Sequence, residues 1–147
     1  MRKRATGMLI HQDKILMIYR KRRHEEFYYL PGGQIEIDEN PFYACYREMY
    51  EETGVVIKNH KLVFEYHHID EYENLNNYEY YFTINEFDGE PELYANGDHS
   101  DLEAKAKMTD DNFYTLEWVD IMKIDDIIIK PHAIKDKIKE EHSRLCF

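Results

Sequence analysis

The segment at residues 33–55 leaves this chain few structural choices. Pro31-Gly32-Gly33 ends a short aromatic stretch abruptly. Asn40-Pro41 then supplies a capping side chain and a proline at the first helical position. Gly54 supplies a stop, so a helix is predicted from Pro41 to about Thr53. Within it Glu48, Glu51 and Glu52 stand at i, i+3 and i+4, which places three carboxylates on one face. Like charges at that spacing destabilise a helix unless something neutralises them. The stripe borders Ala44 and Cys45, with Met49 and Phe42 beyond, so it lies at the edge of the apolar side. Convergent carboxylate oxygens suit a hard cation such as Mg²⁺, Mn²⁺ or Ca²⁺. The plainer alternative is a solvated acidic face, because the chain holds 30 acids and ion-pair networks also gather them.

The flanking sequence predicts a mixed architecture. Residues 6–11 and 14–20 read as a hairpin around a Gln12-Asp13 turn. The charged residues 21–26 read as a solvated loop, and 27–30 as a short aromatic strand. Strands follow at 61–69 and 77–86, the second with Tyr78, Tyr80, Phe82 and Ile84 on one face. Residues 90–111 are acidic with weak periodicity and read as a long surface loop holding at most one helical turn. A last strand surrounds Trp118, a short helix covers 120–126, and Pro131 opens a final helix with Ile134, Ile138 and Leu145 facing inward. Interleaved strands and helices imply an α/β sandwich with a mixed sheet, and 147 residues fit a single domain spanning 1–147.

Charge and composition bound the partners. A net charge of −11 argues against general nucleic-acid binding, which wants a basic surface. A small polyphosphate remains compatible if divalent cations neutralise the site. Cys45 reads as a small core residue and Cys146 as terminal, so a reduced, cytoplasmic setting is expected. No stretch reaches the length of a membrane span, and none is expected to meet a membrane.

From Gly33 the residues obey G-x5-E-x7-R-E-U-x-E-E-x-G-U, with U a bulky apolar residue. Gly33, Glu39, Arg47, Glu48, Met49, Glu51, Glu52, Gly54 and Val55 fill every defined position. The pattern resembles the box of the Nudix hydrolases, and residues 7–130 follow the family more loosely. The resemblance implies a Nudix-type α/β/α sandwich with a mixed sheet. It also implies metal-dependent hydrolysis of a pyrophosphate bond in a nucleoside diphosphate linked to another moiety, with Mg²⁺ or Mn²⁺ as cofactor. Nucleotide sugars, dinucleoside polyphosphates and nucleoside triphosphates all fall within that class.

By that resemblance Glu51 and Glu52 match the main metal carboxylates, and Glu48 matches a position that binds metal or acts as base. The carbonyl of Gly33 and the side chain of Glu36 complete the expected metal set. Arg47 matches the arginine that holds loop and helix carboxylates, and Glu39 ties loop to helix. Relatives commonly carry Gly where Asp38 stands, a departure that bears on loop shape. The catalytic set is thus Arg47, Glu48, Glu51 and Glu52. The general base is expected to be Glu48 or one of Asp98, Asp101, Glu103, Asp110 and Asp111 from the acidic loop.

Substrate contacts are less defined. Arg20, Lys21, Arg22 and Arg23 form a basic run able to meet phosphates, with a solvated loop as the alternative. His67 and His68 point to opposite faces of a strand and cannot share one metal. Phe27, Tyr28, Tyr78 and Tyr80 could stack a base, though the chain has 13 tyrosines and core packing accounts for most. No proline follows the box where ADP-ribose hydrolases of the family carry one. Tyr72 stands near a tyrosine typical of dinucleoside polyphosphate hydrolases. Many relatives dimerise, which sets a homodimer as the prior. Two other readings stand beside the enzyme: a nucleotide-sensing module of the same fold that does not cut, and a structural Ca²⁺ site.

Overall fold

The computed structural model describes residues 1–69 and 74–145. Its sheet has seven strands: β1 (Arg2–His11), β2 (Lys14–Arg22), β3 (Glu25–Tyr29), β4 (Gly32–Gln34), β5 (Val56–Ile69), β6 (Asn76–Asp88) and β7 (Asn112–Asp120). The path runs β3-β2-β1-β6-β5, with β4 added to β1 and β7 to β2. Only β1 and β6 pair in parallel, so the sheet is mixed. The helices are α1 (Pro41–Thr53), α2 (His99–Ala106) and α3 (Ile134–Leu145), with a 3₁₀ turn at Ile121–Asp126. Among the described residues no helix is long and apolar enough to cross a membrane.

Alternation along β1 and β6 builds two cores, because successive side chains take opposite faces of a strand. Ala5, Leu9, Phe82 and Ile84 pack with Ala44, Cys45 and Met49 of α1. Met8 and Tyr81 pack on the other face with Ile134 and Ile138 of α3. The result is the expected α/β/α sandwich, and Cys45 is buried as expected. Leu145, expected to face inward, is exposed, because α3 runs past the edge of its core after Glu141.

Several boundaries differ from the sequence reading. Residues 21–26 are not a loop: β2 continues to Arg22 and β3 starts at Glu25, with the turn made at Arg23 in a left-handed conformation. Lys21 and Glu26 face each other across this hairpin, so opposite charges support strand pairing there. The first strand begins at Arg2, and the fifth at Val56, immediately after α1. The acidic stretch holds a two-turn helix, α2, closed by a reciprocal capping box between Asp98 and Asp101.

The segment before α2 is tied to the end of α1. Backbone amides of Glu92, Tyr94 and Asn96 donate to the carbonyls of Thr53, Glu52 and Glu51. The last carbonyls of a helix lack partners within it, and this segment supplies them. It thereby fixes the C-terminal turn of α1, which carries two of the three stripe carboxylates.

Candidate active site around the acidic helix

The helix forms as its ends prescribe. The Asn40 side chain accepts from the Tyr43 amide, Pro41 stands in the first turn, and Gly54 closes the helix at φ 75°. The incoming loop is held by its own contacts: the Glu36 amide donates to Glu39 Oε1 and the Glu39 amide to the Glu36 carbonyl. Asp38 has φ 67°, in the left-handed region, which explains why relatives place Gly there. Aspartate tolerates that conformation better than most side chains, so the loop keeps its shape.

Arg47 organises the acids. Its Nε donates to Glu39 Oε2 at 2.6 Å and its Nη2 to Glu39 Oε1 at 2.8 Å, a bidentate pair. Nη2 also donates to the Gln34 carbonyl at 3.0 Å. Nη1 donates to Glu48 Oε1 at 2.9 Å and Glu51 Oε2 at 3.1 Å, and lies 3.8 Å from Glu36 Oε1. The guanidinium therefore ties the loop to the helix. The Glu39 carboxyl is held below its ordinary range, first by the Arg47 hydrogen bond.

The stripe carboxylates meet the glycines of the loop. The Gly32 amide donates to Glu52 Oε2 at 3.2 Å. A Cβ built on Gly33 would overlap the Glu48 carboxyl, so this backbone lies directly against that acid. Burial pushes Glu48 up, with Arg47 opposing. Burial also raises Glu51, again against Arg47. Glu52 is pushed up to about 8, first by burial and then by the Glu48 charge, while Arg4 and the Gly32 amide oppose. Among the described residues Glu52 has no ion pair.

A half-buried carboxyl beside another, with no cation in contact, is a costly arrangement that a bound cation relieves. The donor set is all oxygen, as a hard divalent ion requires. The residues thus fit a metal, although they are not already closed around one. Among the described residues no three of His, Cys, Asp and Glu stand as a formed metal site, because Glu48 and Glu51 are turned onto Arg47. Glu36 is exposed and reaches only toward Arg47.

The other expected residues are dispersed over the fold. Asp98 and Asp101 sit at the start of α2, and Asp101 raises both Glu51 and Glu52 by its charge. Arg20 lies on β2 with its guanidinium 4.1 Å from the Tyr114 ring centre, and its Nη1 donates to the Lys21 and Phe113 carbonyls. Arg22 ends β2 and Arg23 forms the hairpin turn, where its amide donates to the Asp111 carbonyl. Tyr72 lies outside the described residues, as does Cys146. Tyr28 packs in the α3 core and Tyr80 against the α1 core.

The structure adds residues that the sequence did not single out. Arg4 acts on Glu48 and Glu52 from β1, and Tyr29 and Tyr94 feel the Glu52 charge. Tyr94 packs edge-on to Tyr114 with centroids 6.3 Å apart. Nothing local in the sequence marks Arg4, since its position depends on β1 pairing with β4.

Comparison with known proteins agrees with this fold. A model of the NUDIX domain matches residues 1–136. An RNA pyrophosphohydrolase of Pelagibacter ubique (strain HTCC1062) is 27% identical over 142 residues, covering 90% of this chain and 87% of that protein. The structure of a MutT NUDIX hydrolase from Burkholderia pseudomallei superposes with a TM-score of 0.67 at 23% identity, over 94% of this chain and 95% of that one. The NUDIX domain of Shewanella oneidensis NrtR, solved with ADP ribose, gives 0.67 at 15% identity, over 97% and 87%. At such identities the two structures speak for the fold alone. With the family model spanning nearly the whole chain and every box position filled, the chain belongs to the NUDIX family and is a Nudix pyrophosphohydrolase.

Proposed function

We propose that the chain is a single Nudix domain that hydrolyses a pyrophosphate bond in a nucleoside diphosphate linked to another moiety, using Mg²⁺ or Mn²⁺. The observation that carries this reading is the pair of half-buried carboxyls, Glu48 and Glu52, set against the Gly32-Gly33 backbone inside an intact box. Glu48, Glu51 and Glu52, with the Gly33 carbonyl, would hold the cation. Bound there, a divalent ion supplies charge neutralisation at the phosphates and an acidified water.

The chain's own residues do the rest. Arg47 keeps Glu48 and Glu51 in one rotamer each and would release them to the ion at small cost, because Glu39 still anchors its guanidinium on two bonds. A carboxylate beside the ion takes the proton of the attacking water. Glu48 and Asp101 are the two candidates for that base, Asp101 because its charge already reaches Glu51 and Glu52. Arg4, whose charge acts on Glu48 and Glu52 and which pairs with Glu79 at 3.2 Å, would meet the substrate phosphates. The similarity to an RNA pyrophosphohydrolase adds a 5′-polyphosphorylated RNA end to the substrates worth testing.

The test is a panel of nucleoside triphosphates, dinucleoside polyphosphates, nucleotide sugars and 5′-triphosphorylated RNA. Wild type and Glu52→Gln are assayed with Mg²⁺, with Mn²⁺ and with chelator. Cleavage that requires metal and is lost in the variant is expected. Intact substrates across the whole panel, or equal turnover with chelator, would sink the proposal. Glu48→Gln and Asp101→Asn assign the base, since the true base variant loses kcat with little change in KM.

A further inference from the structure

A cavity of about 230 Å³ opens where β1, β6 and β7 end. The strand β1 pairs with the box at Thr6, opposite Gly32, and reaches His11 about 17 Å further along. The cavity therefore stands apart from the Gly32-Gly33 backbone that meets the stripe carboxylates. His11, Phe87 and Trp118 bring rings to its lining, and Pro91 joins them. The imidazole packs edge-on to Phe87 with centroids 5.8 Å apart and lies tilted to Trp118 at 6.2 Å. Phe87 and Trp118 are partly buried against the α1 core, so both rings are fixed before any ligand arrives.

The same cavity carries a cation without a partner. Lys14 stands opposite His11 in the β1–β2 hairpin and shares the lining. The nearby acids in sequence and register are engaged elsewhere. Asp13 lies 2.8 Å from His142 Nε2, Asp88 lies 3.2 Å from Lys58 Nζ, and Asp120 accepts from the Met122 amide. Among the described residues the Lys14 ammonium has no ion pair or hydrogen bond. An unpaired cation beside three rings stands out in a chain of net charge −11. Glu90 also lines the cavity, but it is exposed, so water and salt screen its charge. Gln12 adds an amide that both donates and accepts.

We propose that this cavity is a second nucleotide site, separate from the catalytic one, which takes a nucleoside 5′-monophosphate with its base against Trp118 and Phe87 and its phosphate on Lys14. The inference rests on the hydrolytic reading above for the identity of its ligand. Cutting any substrate of that class between its α and β phosphates leaves a 5′-monophosphate, so the site would hold a product of the reaction. A base stacks on aromatic rings through either apolar face, whatever its identity. Its polar edge finds the Gln12 amide, which can answer donors and acceptors alike. An ammonium meets a phosphate by charge and hydrogen bond together. The volume lies just below the range of drug-sized ligand pockets, enough for a base with its sugar and phosphate at the mouth.

Trp118 is the chain's single tryptophan, so its fluorescence reports occupancy of this cavity without requiring turnover. AMP, adenosine and ribose 5-phosphate are titrated into metal-free wild type, Lys14→Ala, Lys14→Arg and Glu52→Gln. AMP should quench the emission saturably. Adenosine should bind about five-fold weaker or more, the value of one hydrogen bond to a charged group. Ribose 5-phosphate has no ring to stack and should leave the emission unchanged. Lys14→Ala should weaken AMP by that same factor and leave adenosine as it was, Lys14→Arg should restore AMP, and Glu52→Gln should match wild type throughout. Lys14 is exposed, so neither substitution there threatens the fold. No quenching by AMP, equal affinity for AMP and adenosine, or Lys14→Ala binding AMP as wild type does would overturn the proposal. Quenching lost in Glu52→Gln would overturn it too, by placing the nucleotide at the carboxylates. Wild type that cleaves its substrates yet shows no quenching would refute this site alone, and quenching by a protein that cleaves nothing would refute the catalytic reading alone.

Discussion

Replacing Gly33 by alanine separates a structural role from a functional one. The added methyl would sit 2.5 Å from Glu48 Oε1 and closer still to the rest of that carboxyl. The carboxyl ends a rotatable side chain, so the strain is relieved by swinging it away. What is then lost is the Arg47 Nη1 to Glu48 Oε1 hydrogen bond of 2.9 Å, in a half-buried setting. That loss is about 1–2 kcal/mol. For a domain of this size it lowers Tm by about 2–8 °C. Activity should fall much further, about 100-fold, because a carboxylate displaced by an ångström no longer serves the site. Gly32→Ala is the internal comparison. Its methyl would meet the Thr6 Cα at 2.8 Å and the Ala5 backbone more closely, and backbone cannot rotate away. It should cost about 3 kcal/mol or more, since β4 must shift on β1. Urea unfolding of both variants, and of Gly33→Ala in a Glu48→Ala background, reads the reasoning directly. The methyl should be nearly free once the carboxyl is gone, a coupling of about 1–2 kcal/mol. An equal cost of Gly33→Ala in both backgrounds, or a cost exceeding that of Gly32→Ala, would refute the argument.

Three further outcomes are expected. Arg47→Lys keeps the charge but cannot reproduce the bidentate pair with Glu39 together with the bonds to Gln34, Glu48 and Glu51, so it should lose about 2–3 kcal/mol in denaturant unfolding. Glu52 is raised to about 8 in the folded chain, so with chelator present the native state holds a proton that the unfolded chain has released, and this group makes stability fall as pH rises from about 4.5 to about 8. Glu52→Gln, whose amide oxygen can still accept from Gly32, should therefore be the more stable protein at pH 8.5, and their Tm values should converge near pH 4. Ile138→Ala, fully buried against the sheet, should cost about 2–5 kcal/mol, whereas Leu145→Ala, exposed on the same helix, should cost under about 0.5 kcal/mol by urea unfolding.

Local signals in the sequence carried far. Asn40, Pro41 and Gly54 marked the ends of α1 because capping chemistry acts within a turn, and the structure uses each as its type suggests. The alternation of Tyr80, Phe82 and Ile84 marked one buried face of β6. The opposite face, Asn77, Glu79, Tyr81 and Thr83, is also buried, which polar residues do not advertise. Helix α2 went unread because none of its residues is buried, so it has no apolar period, and only the Asp98 and Asp101 spacing hinted at its cap. The β2–β3 hairpin was hidden in charged residues whose strand character comes from pairing Lys21 with Glu26. Of the site, the acids and Arg47 were legible from spacing. Arg4, Tyr29 and Tyr94 were not, because they reach it through contacts between distant strands and loops.

The central claim is that Glu48, Glu51 and Glu52 bind a divalent cation even though Glu48 and Glu51 rest on Arg47 without one. Calorimetric titration of Mn²⁺ into metal-free wild type and Glu52→Gln tests it most directly. Saturable binding by wild type, weakened at least about ten-fold in the variant, is the result this account requires. Equal binding by both proteins, or none by wild type, would contradict it.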